Sequence, residues 1–265
     1  MGEEKKEKRL VAYYQEGPIG IIHLNDPPLN ISTKENRKQY GEAVTWAKHN
    51  PELRVVIFRN TGKCFGAGAD VKAMPNIDIN SYNVPRYTNV YERVTDLPMP
   101  TIAALDGAAY GGAFERALAC DMRIARRDAI LCMSEVNFGA FPGSGGVAKL
   151  IELMGNAKAM EVMLMPRKDM TAEEWMALGV VNDVVDDPEK TGDAAFRKAM
   201  EWAKIIAEKP YSGPRAIKEA SLCWRRQRLE PYFKEQQRIN LHLCASGNFK
   251  EGASDFFNKK NSFRE

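Results

Sequence analysis

The chain has 265 residues, of which 44% are hydrophobic and 28% are charged, and its formal net charge at pH 7 is +3. This composition predicts a globular protein with one large domain, or a domain plus an appendage. The small net charge argues against nucleic-acid binding, and no apolar run reaches the roughly 18 to 20 residues of a membrane span. Residues 1–9 are charged and lack the apolar core of a secretory signal, so we expect a cytoplasmic protein.

The cysteines and histidines predict neither a metal site nor a disulfide framework. The five cysteines are scattered without a C-x-x-C pair, and the three histidines lie far apart. A histidine-based catalytic triad is therefore poorly supported. The sequence favours chemistry that depends on carboxylates and backbone N–H groups, without a resident cofactor.

The first part of the chain predicts strands, a helix and a small-residue loop. Residues 10–15 and 19–24 read as strands, residues from Ser32 or Thr33 to about His49 as a helix, and residues 54–59 as a buried strand. The loop that follows, residues 61–70 (TGKCFGAGAD), resembles a ligand-facing turn. It matches neither a dinucleotide fingerprint nor a P-loop, and an ordinary tight turn is the simpler interpretation.

The central stretch, residues 103–121 (AALDGAAYGGAFERALACD), joins a strand over 101–105 to a helix over 113–120. Gly111 and Gly112 at this junction allow close approach of a ligand and leave the first helical N–H groups unpaired, an arrangement that can hold a developing oxyanion. Glu115 lies in the first helical turn among apolar residues. The simpler alternative is an acidic residue that interacts with the helix dipole.

A third glycine-rich turn, residues 134–146 (SEVNFGAFPGSGG), follows predicted strands over 122–125 and 129–133. Glu135 opens this turn, where a carboxylate is either functional or simply solvent-facing. Helices over 147–154, 157–165 and 172–178 and a strand over 180–185 come next. The recurrence of strand, turn and helix predicts a stacked or spiral α/β arrangement.

Two further regions complete the prediction. Residues 81–97 have tyrosines at helical spacing, which favours core packing over a pocket wall. Beyond residue 187 the chain is rich in helix formers, with helices expected over 194–208, 214–228, 230–245 and 250–257. We therefore divide the chain into a core, residues 1–205, and a C-terminal helical region, residues 206–265. The basic run at 225–228 is most simply a solvated helix face.

Three segments together resemble the crotonase (enoyl-CoA hydratase/isomerase) superfamily: CFGAGADVKAM at 64–74, residues 100–121 with GGAFE, and residues 134–146. LNDPPLN at 24–30 and EGASDFFNKKNSF at 251–263 extend the resemblance along essentially the whole chain. It implies a spiral of ββα units with a C-terminal helical trimerisation region, assembled as a homotrimer or a dimer of trimers. It also implies an acyl-CoA thioester substrate, with coenzyme A as part of that substrate and no separate cofactor.

The resemblance also implies roles for individual residues. Ala69 and Gly112 match the positions whose backbone N–H groups form the family's oxyanion hole, and Glu115 and Glu135 match the two carboxylates of the hydratase branch. The implied reaction is syn addition of water to an α,β-unsaturated thioester. We favour Glu115 for orienting water and Glu135 as proton donor, with the reverse assignment open. Further residues expected at the coenzyme A or substrate site are Ala67, Asp70, Lys72, Tyr87, Gly111 and Lys259 or Lys260.

Some residues depart from the family pattern. Cys132 and Ser134 stand before Glu135 where hydratases usually have Gly and Pro, and Ala113 replaces a third glycine. Arg116 stands beside Glu115; turned inward it would lower the pKa of Glu115, and turned outward it would have no effect.

The alternatives to a hydratase are a double-bond isomerase, a ring-opening or thioester hydrolase and, remotely, an RNA-binding homologue. The tyrosines of residues 81–91 hint at a bulky or cyclic acyl group.

Overall fold

A computed structural model describes residues 9–71, 90–246, 251–252 and 254–255 of the chain. The strands, in chain order, are β1 (Val11–Glu16), β2 (Ile19–Leu24), β3 (Val55–Asn60), β4 (Cys64–Gly66), β5 (Thr101–Leu105), β6 (Ala108–Tyr110), β7 (Met122–Arg126), β8 (Leu131–Cys132) and β9 (Asp183–Val185). The helices are α1 (Lys34–His49), α2 (Glu92–Thr95), α3 (Gly112–Leu118), α4 (Gly146–Met154), α5 (Asn156–Leu164), α6 (Ala172–Ala177), α7 (Ala194–Ala207) and α8 (Ser212–Ser246).

The strands form two sheets, and the chain alternates between them. A six-stranded sheet has the order β1-β2-β3-β5-β7-β9, and a three-stranded sheet has the order β4-β6-β8. Only the β1–β2 hairpin is antiparallel among these pairings. From β3 to β8, odd strands join the large sheet and even strands the small one. This alternation confirms the predicted spiral of strand, strand and helix.

Helix α7 covers one face of the large sheet. Its alanines at 195, 199 and 203 recur every fourth residue and form a cluster with strand isoleucines that include Ile57, Ile102 and Ile124. Small side chains at this spacing allow the helix to approach the β-branched surface closely. The buried Asp106 carboxylate accepts the N–H groups of Ala195 and Phe196, which fixes the start of α7. The opposite face of the sheet packs against α1 and α3 in the larger core.

Two short strands were not predicted. Strand β4 lies inside the loop expected over 61–70, and β6 occupies three residues between the predicted strand and the Gly111–Gly112 turn. Each is only three residues long, so neither carries a periodic pattern that sequence could reveal. Both are defined by pairing with strands distant in sequence, Cys64 with Ala108 and Tyr110 with Cys132.

The C-terminal helix is longer than predicted. The break expected near residue 229 is absent, and α8 runs for 35 residues with Pro231 inside it. A proline in a helix interior removes one hydrogen bond, and here the buried side chains of Leu229 and Phe233 on either side of it pack against the protein. The packing of these two side chains outweighs the helix-breaking effect of Pro231. Of the helix predicted over 81–97, only α2 and its neighbours lie within the described residues.

No helix in the described parts of the chain combines the length and the apolar character needed to cross a lipid bilayer.

The contact between Gly66 and Ala113 provides a test of how β4 packs on α3. A Cβ atom at Gly66 would lie 2.6 Å from the Cβ of Ala113, so Gly66→Ala is expected to lower the free energy of unfolding by about 1–3 kcal/mol. In the double variant with Ala113→Gly, part of that loss should be recovered. Denaturant unfolding measures both, and Gly213→Ala, which has open space around it, is the control. Strict additivity of the two changes would show that this contact is not the cause.

Candidate active site

The Gly111–Gly112 turn joins β6 to α3. Gly111 has φ 51° and ψ −125°, a conformation that a side chain would strain, and its N–H donates to the Cys132 carbonyl at 2.9 Å. Gly112 is the first residue of α3, so the helix itself supplies no acceptor for its N–H. The turn therefore presents a backbone donor at the start of a helix.

Glu115 lies one turn into α3 and is 3% exposed. Its Oε1 accepts the backbone N–H groups of Ser144 at 2.6 Å and Gly146 at 2.9 Å. Burial raises the pKa of Glu115, although these two hydrogen bonds and the nearby Lys149 oppose that shift. The carboxylate is thus held in a fixed position by the turn that begins α4.

The side chain of Glu135 also lies beside the Gly111–Gly112 turn, although Glu135 belongs to a different element from Glu115. It begins a 3₁₀ turn, Glu135–Phe138, directly after β8. Its Oε1 lies 3.1 Å from where a Cβ of Gly111 would stand, while Oε2 of Glu115 lies 3.9 Å from the equivalent point at Gly112. Both Glu135 oxygens are buried and have no hydrogen-bond partner within the described residues. Burial, and secondarily the charge of Glu115, raise the pKa of Glu135.

The loop after β4 lies against the end of β6. Gly68 has φ 89°, and a Cβ there would stand 3.0 Å from the Tyr110 carbonyl oxygen and 4.0 Å from the Gly112 nitrogen. The next residue, Ala69, forms an isolated parallel bridge with Ser32. The structure therefore brings the turns that contain Ala69 and Gly112 next to each other.

The remaining predicted site residues divide into two groups. Ala67 donates its N–H to Leu29 at 2.8 Å, and Asp70 is partly exposed at the end of the same loop. Lys72, Tyr87, Lys259 and Lys260 lie outside the described residues.

A buried ion pair beside Glu115 was missed by the sequence reasoning. Lys149 Nζ lies 2.6 Å from Oε1 of Glu92, and the two side chains are 1% and 2% exposed. Both charges influence Glu115, since Lys149 favours its ionised form and Glu92 opposes it. A lysine and a glutamate on predicted helices normally face solvent, so no sequence signal marked this pair.

Arg116 follows neither of the two expected orientations. It is fully buried, but its guanidinium lies over the rings of Tyr40 and Tyr91, at 4.8 and 5.0 Å from their centroids. Its Nη2 donates to the Tyr91 hydroxyl at 3.3 Å, and that hydroxyl also bonds to Ser32 Oγ. Since Ser32 bridges to Ala69, these side chains support the loop that approaches Gly112.

The basic run at 225–228 is not the uniformly solvated face that we expected. The Arg225 side chain is only 14% exposed and lies 3.6 Å from Glu152, and Arg226 pairs with Asp96 at 2.9 Å. These partners reduce the positive charge available to a nucleic acid. Across the described parts of the chain, no cluster of three histidine, cysteine or carboxylate side chains has metal-binding geometry.

Comparison with known proteins gives consistent results. Residues 15–265 match the sequence profile of the family described as enoyl-CoA hydratase/isomerase. Mouse mitochondrial methylglutaconyl-CoA hydratase is 34% identical over 229 residues, which cover 83% of this chain and 71% of that protein. A probable enoyl-CoA hydratase of Mycobacterium bovis is 30% identical over 243 residues, which cover 91% of this chain and 92% of that protein.

A solved structure agrees with the fold. The crystal structure of carnitinyl-CoA hydratase from Mycobacterium avium superposes with a TM-score of 0.82 at 27% identity. The superposition covers 96% of this chain and 97% of that one. The predicted crotonase-type fold is therefore confirmed, whereas the C-terminal region, predicted as separate helices, contains one long helix.

The raised pKa of Glu135 predicts a pH dependence of stability. As pH rises from about 5, the unfolded chain releases this proton first while folded Glu135 retains it, so the free energy of unfolding falls until pH passes the raised pKa. Glu135→Gln removes this loss. Relative to wild type, the variant should therefore gain about 1 kcal/mol or more between about pH 5 and about pH 8. Urea unfolding at several pH values measures the gain. The exposed Glu208→Gln is the control, and a pH-independent difference would contradict the prediction.

The two tyrosines on Arg116 allow a matched test of the support beneath Ala69. Tyr91→Phe removes a hydroxyl that bonds to Ser32 and Arg116, and we expect a loss of about 1–2 kcal/mol in the free energy of unfolding. The buried Tyr40 hydroxyl has no partner within the described residues, so Tyr40→Phe should be neutral or slightly stabilising. Thermal or urea unfolding compares the variants, and equal losses would argue against the hydrogen bond as the cause.

Proposed function

The chain belongs to the enoyl-CoA hydratase/isomerase (crotonase) family and is a hydratase-type lyase that acts on acyl-CoA thioesters, and we propose that Glu115 and Glu135 together catalyse this reaction. The observation that carries the proposal is the approach of both carboxylates to the Gly111–Gly112 turn, although they come from different elements. Two acid–base groups at one backbone donor suit the addition of water and a proton to the same face of a conjugated double bond.

In the proposed mechanism, Glu115 accepts a proton from bound water as the water oxygen forms a bond to the β-carbon of the substrate. The electrons of the double bond move toward the thioester carbonyl and form an enolate. The N–H groups of Ala69 and Gly112 stabilise the enolate oxygen, and removing one such donor typically costs about 3–4 kcal/mol of barrier. Glu135 then gives a proton to the α-carbon, which completes syn addition.

The difference between the two environments supports this assignment of roles. Burial raises the pKa of Glu115, but the two backbone N–H groups that it accepts and the nearby Lys149 oppose that rise. Among the described residues, no other residue donates a hydrogen bond to the Glu135 carboxyl group, and the negative charge of Glu115 favours its protonated form. The pair therefore separates into a base and an acid, a common result when two carboxyl groups have unlike surroundings.

The acyl group and the assembly belong to the proposal as well. The relatives are named for unlike acyl groups, methylglutaconyl in one and carnitinyl in another, so family membership leaves the substrate open. We propose a bulky or cyclic acyl group on the basis of the tyrosines in 81–91. We also propose assembly as a trimer or a dimer of trimers, with Ala67, Asp70, Lys72, Tyr87, Gly111 and Lys259 at the coenzyme A or substrate site.

The test of the proposal is turnover of straight-chain and cyclic α,β-unsaturated acyl-CoA esters, followed by loss of the absorbance of the conjugated thioester. Glu115→Gln and Glu135→Gln should each lower kcat by about 10²- to 10⁴-fold, with a much smaller change in KM. Glu208→Gln, on the surface, should match wild type. The acyl ester with the highest kcat/KM identifies the acyl pocket.

Three outcomes would overturn the hydratase mechanism. Release of free thiol would indicate a thioester hydrolase, and a shifted double bond without uptake of water would indicate an isomerase. Full activity in either glutamine variant would exclude that residue from the chemistry.

A further inference from the structure

We propose that Gln236, on the C-terminal helix α8, is a positioning residue for Glu115 that acts through the turn at residues 143–146. This inference rests on the proposed function of Glu115, and it gives α8 a role in the candidate active site of its own chain. The role is additional to the self-association expected of the C-terminal region.

The backbone donors of the turn are divided between two side chains. Ser144 and Gly146 donate to Glu115, at 2.6 and 2.9 Å. Gly145, between them, donates to Oε1 of Gln236 at 3.1 Å, and Nε2 of Gln236 donates back to the Gly143 carbonyl at 2.5 Å. Gln236 thus pairs with the N–H group that lies between the two donors to Glu115 and with the carbonyl at the start of the turn.

A side-chain amide suits the chemistry of this position. The turn offers one donor and one acceptor to α8, and the amide of Gln236 meets them with two separate atoms, its oxygen and its nitrogen. Gln236 is 6% exposed, so water has little access to replace it. Without this amide, the buried Gly145 N–H and the partly buried Gly143 carbonyl would each lose this partner, which favours relaxation of the turn.

The turn fits closely between α8 and the Glu92 carboxylate. A Cβ atom at Gly145 would stand 2.6 Å from Oε1 of Glu92 and 3.3 Å from Phe233, and one at Gly143 would stand 2.9 Å from Asn240. Phe233, Gln236 and Asn240 are spaced by three and four residues, so they share one face of α8. Gly145 also has φ 93°. Glycine at these positions therefore allows α8 to pack closely against the same turn that holds Glu115.

A relaxed turn would weaken the support of Glu115. Loss of one N–H donor destabilises its ionised form, so the pKa of Glu115 would rise and its orientation would loosen. The other charged or titratable groups that influence it are Lys149 on α4, Glu92 on α2, Glu135 on the 3₁₀ turn and Tyr232 on α8. None of these changes in a Gln236 variant, so a shift in titration would report on the turn.

The experiment compares Gln236→Leu with Gln227→Leu, the same substitution at an exposed position of α8. Gln236→Leu should lower kcat about tenfold or more, leave KM within about twofold, and move the acid limb of the kcat–pH profile to higher pH. Gln227→Leu should change none of these. Gln236→Asp, which can accept but not donate and adds a negative charge, should move the acid limb further.

The variant Arg226→Ala tests whether Gln236 has a purely structural role. It removes the ion pair between α8 and Asp96 and leaves the turn at residues 143–146 untouched. It should lower thermal stability without a shift of the pH profile. If Gln236→Leu behaves in the same way, with a lower melting temperature but a wild-type kcat and pH profile, the proposal is overturned.

Carboxyl ¹³C NMR titration of Glu115 separates this inference from the proposed function, since it needs no substrate. A higher Glu115 pKa in Gln236→Leu than in wild type supports the inference even if no acyl-CoA ester is hydrated, in which case the proposed function fails. Normal hydration by wild type together with an unchanged Glu115 titration in Gln236→Leu would refute the inference alone.

Discussion

The hydrogen bonds between Glu115 and the turn at the start of α4 are the interaction on which the candidate site depends. A carboxylate that is 3% exposed carries a large desolvation penalty unless donors meet it. The Ser144 and Gly146 N–H groups meet it at the N-terminal end of α4, where a helix leaves its backbone N–H groups unpaired. Three parts of the chain thus converge at this point: α3, the glycine-rich turn, and the α8 face that packs on the turn.

The buried carboxyl groups at and around Glu115 outnumber the one buried lysine beside them, and this excess of acidic groups fits acid–base chemistry. Lys149 pairs directly with Glu92 and also favours the ionised form of Glu115, whereas burial and the charge of Glu115 raise the pKa of Glu135. Arg116 is equally buried but lies against tyrosine rings. Glu135 is therefore the carboxyl group that more strongly favours holding a proton, as one of two carboxyl groups with unlike surroundings does in acid–base catalysis.

The alternation of strands between two sheets explains why small residues gather at the site. The turns that follow β4 and β6, at Gly68 and Gly111, have positive φ, and Gly68 lies against the end of β6. The close approach leaves little space for a side chain at Gly68 or Gly111. Backbone N–H groups are consequently the donors that these turns can offer to a substrate, which suits stabilisation of an enolate oxygen.

The sequence alone determined the family, the spiral order of the elements and the glutamates proposed for catalysis, because motifs and local periodicity carry that information. Three features depended on tertiary contacts that have no local signature. Strands β4 and β6 exist through pairing with distant strands, α8 continues through Pro231 because its flanking side chains are buried, and the Glu92–Lys149 pair is buried where both residues normally face solvent. The contact of Gln236 with Gly143 and Gly145, about 90 residues apart in sequence, likewise arises only from folding.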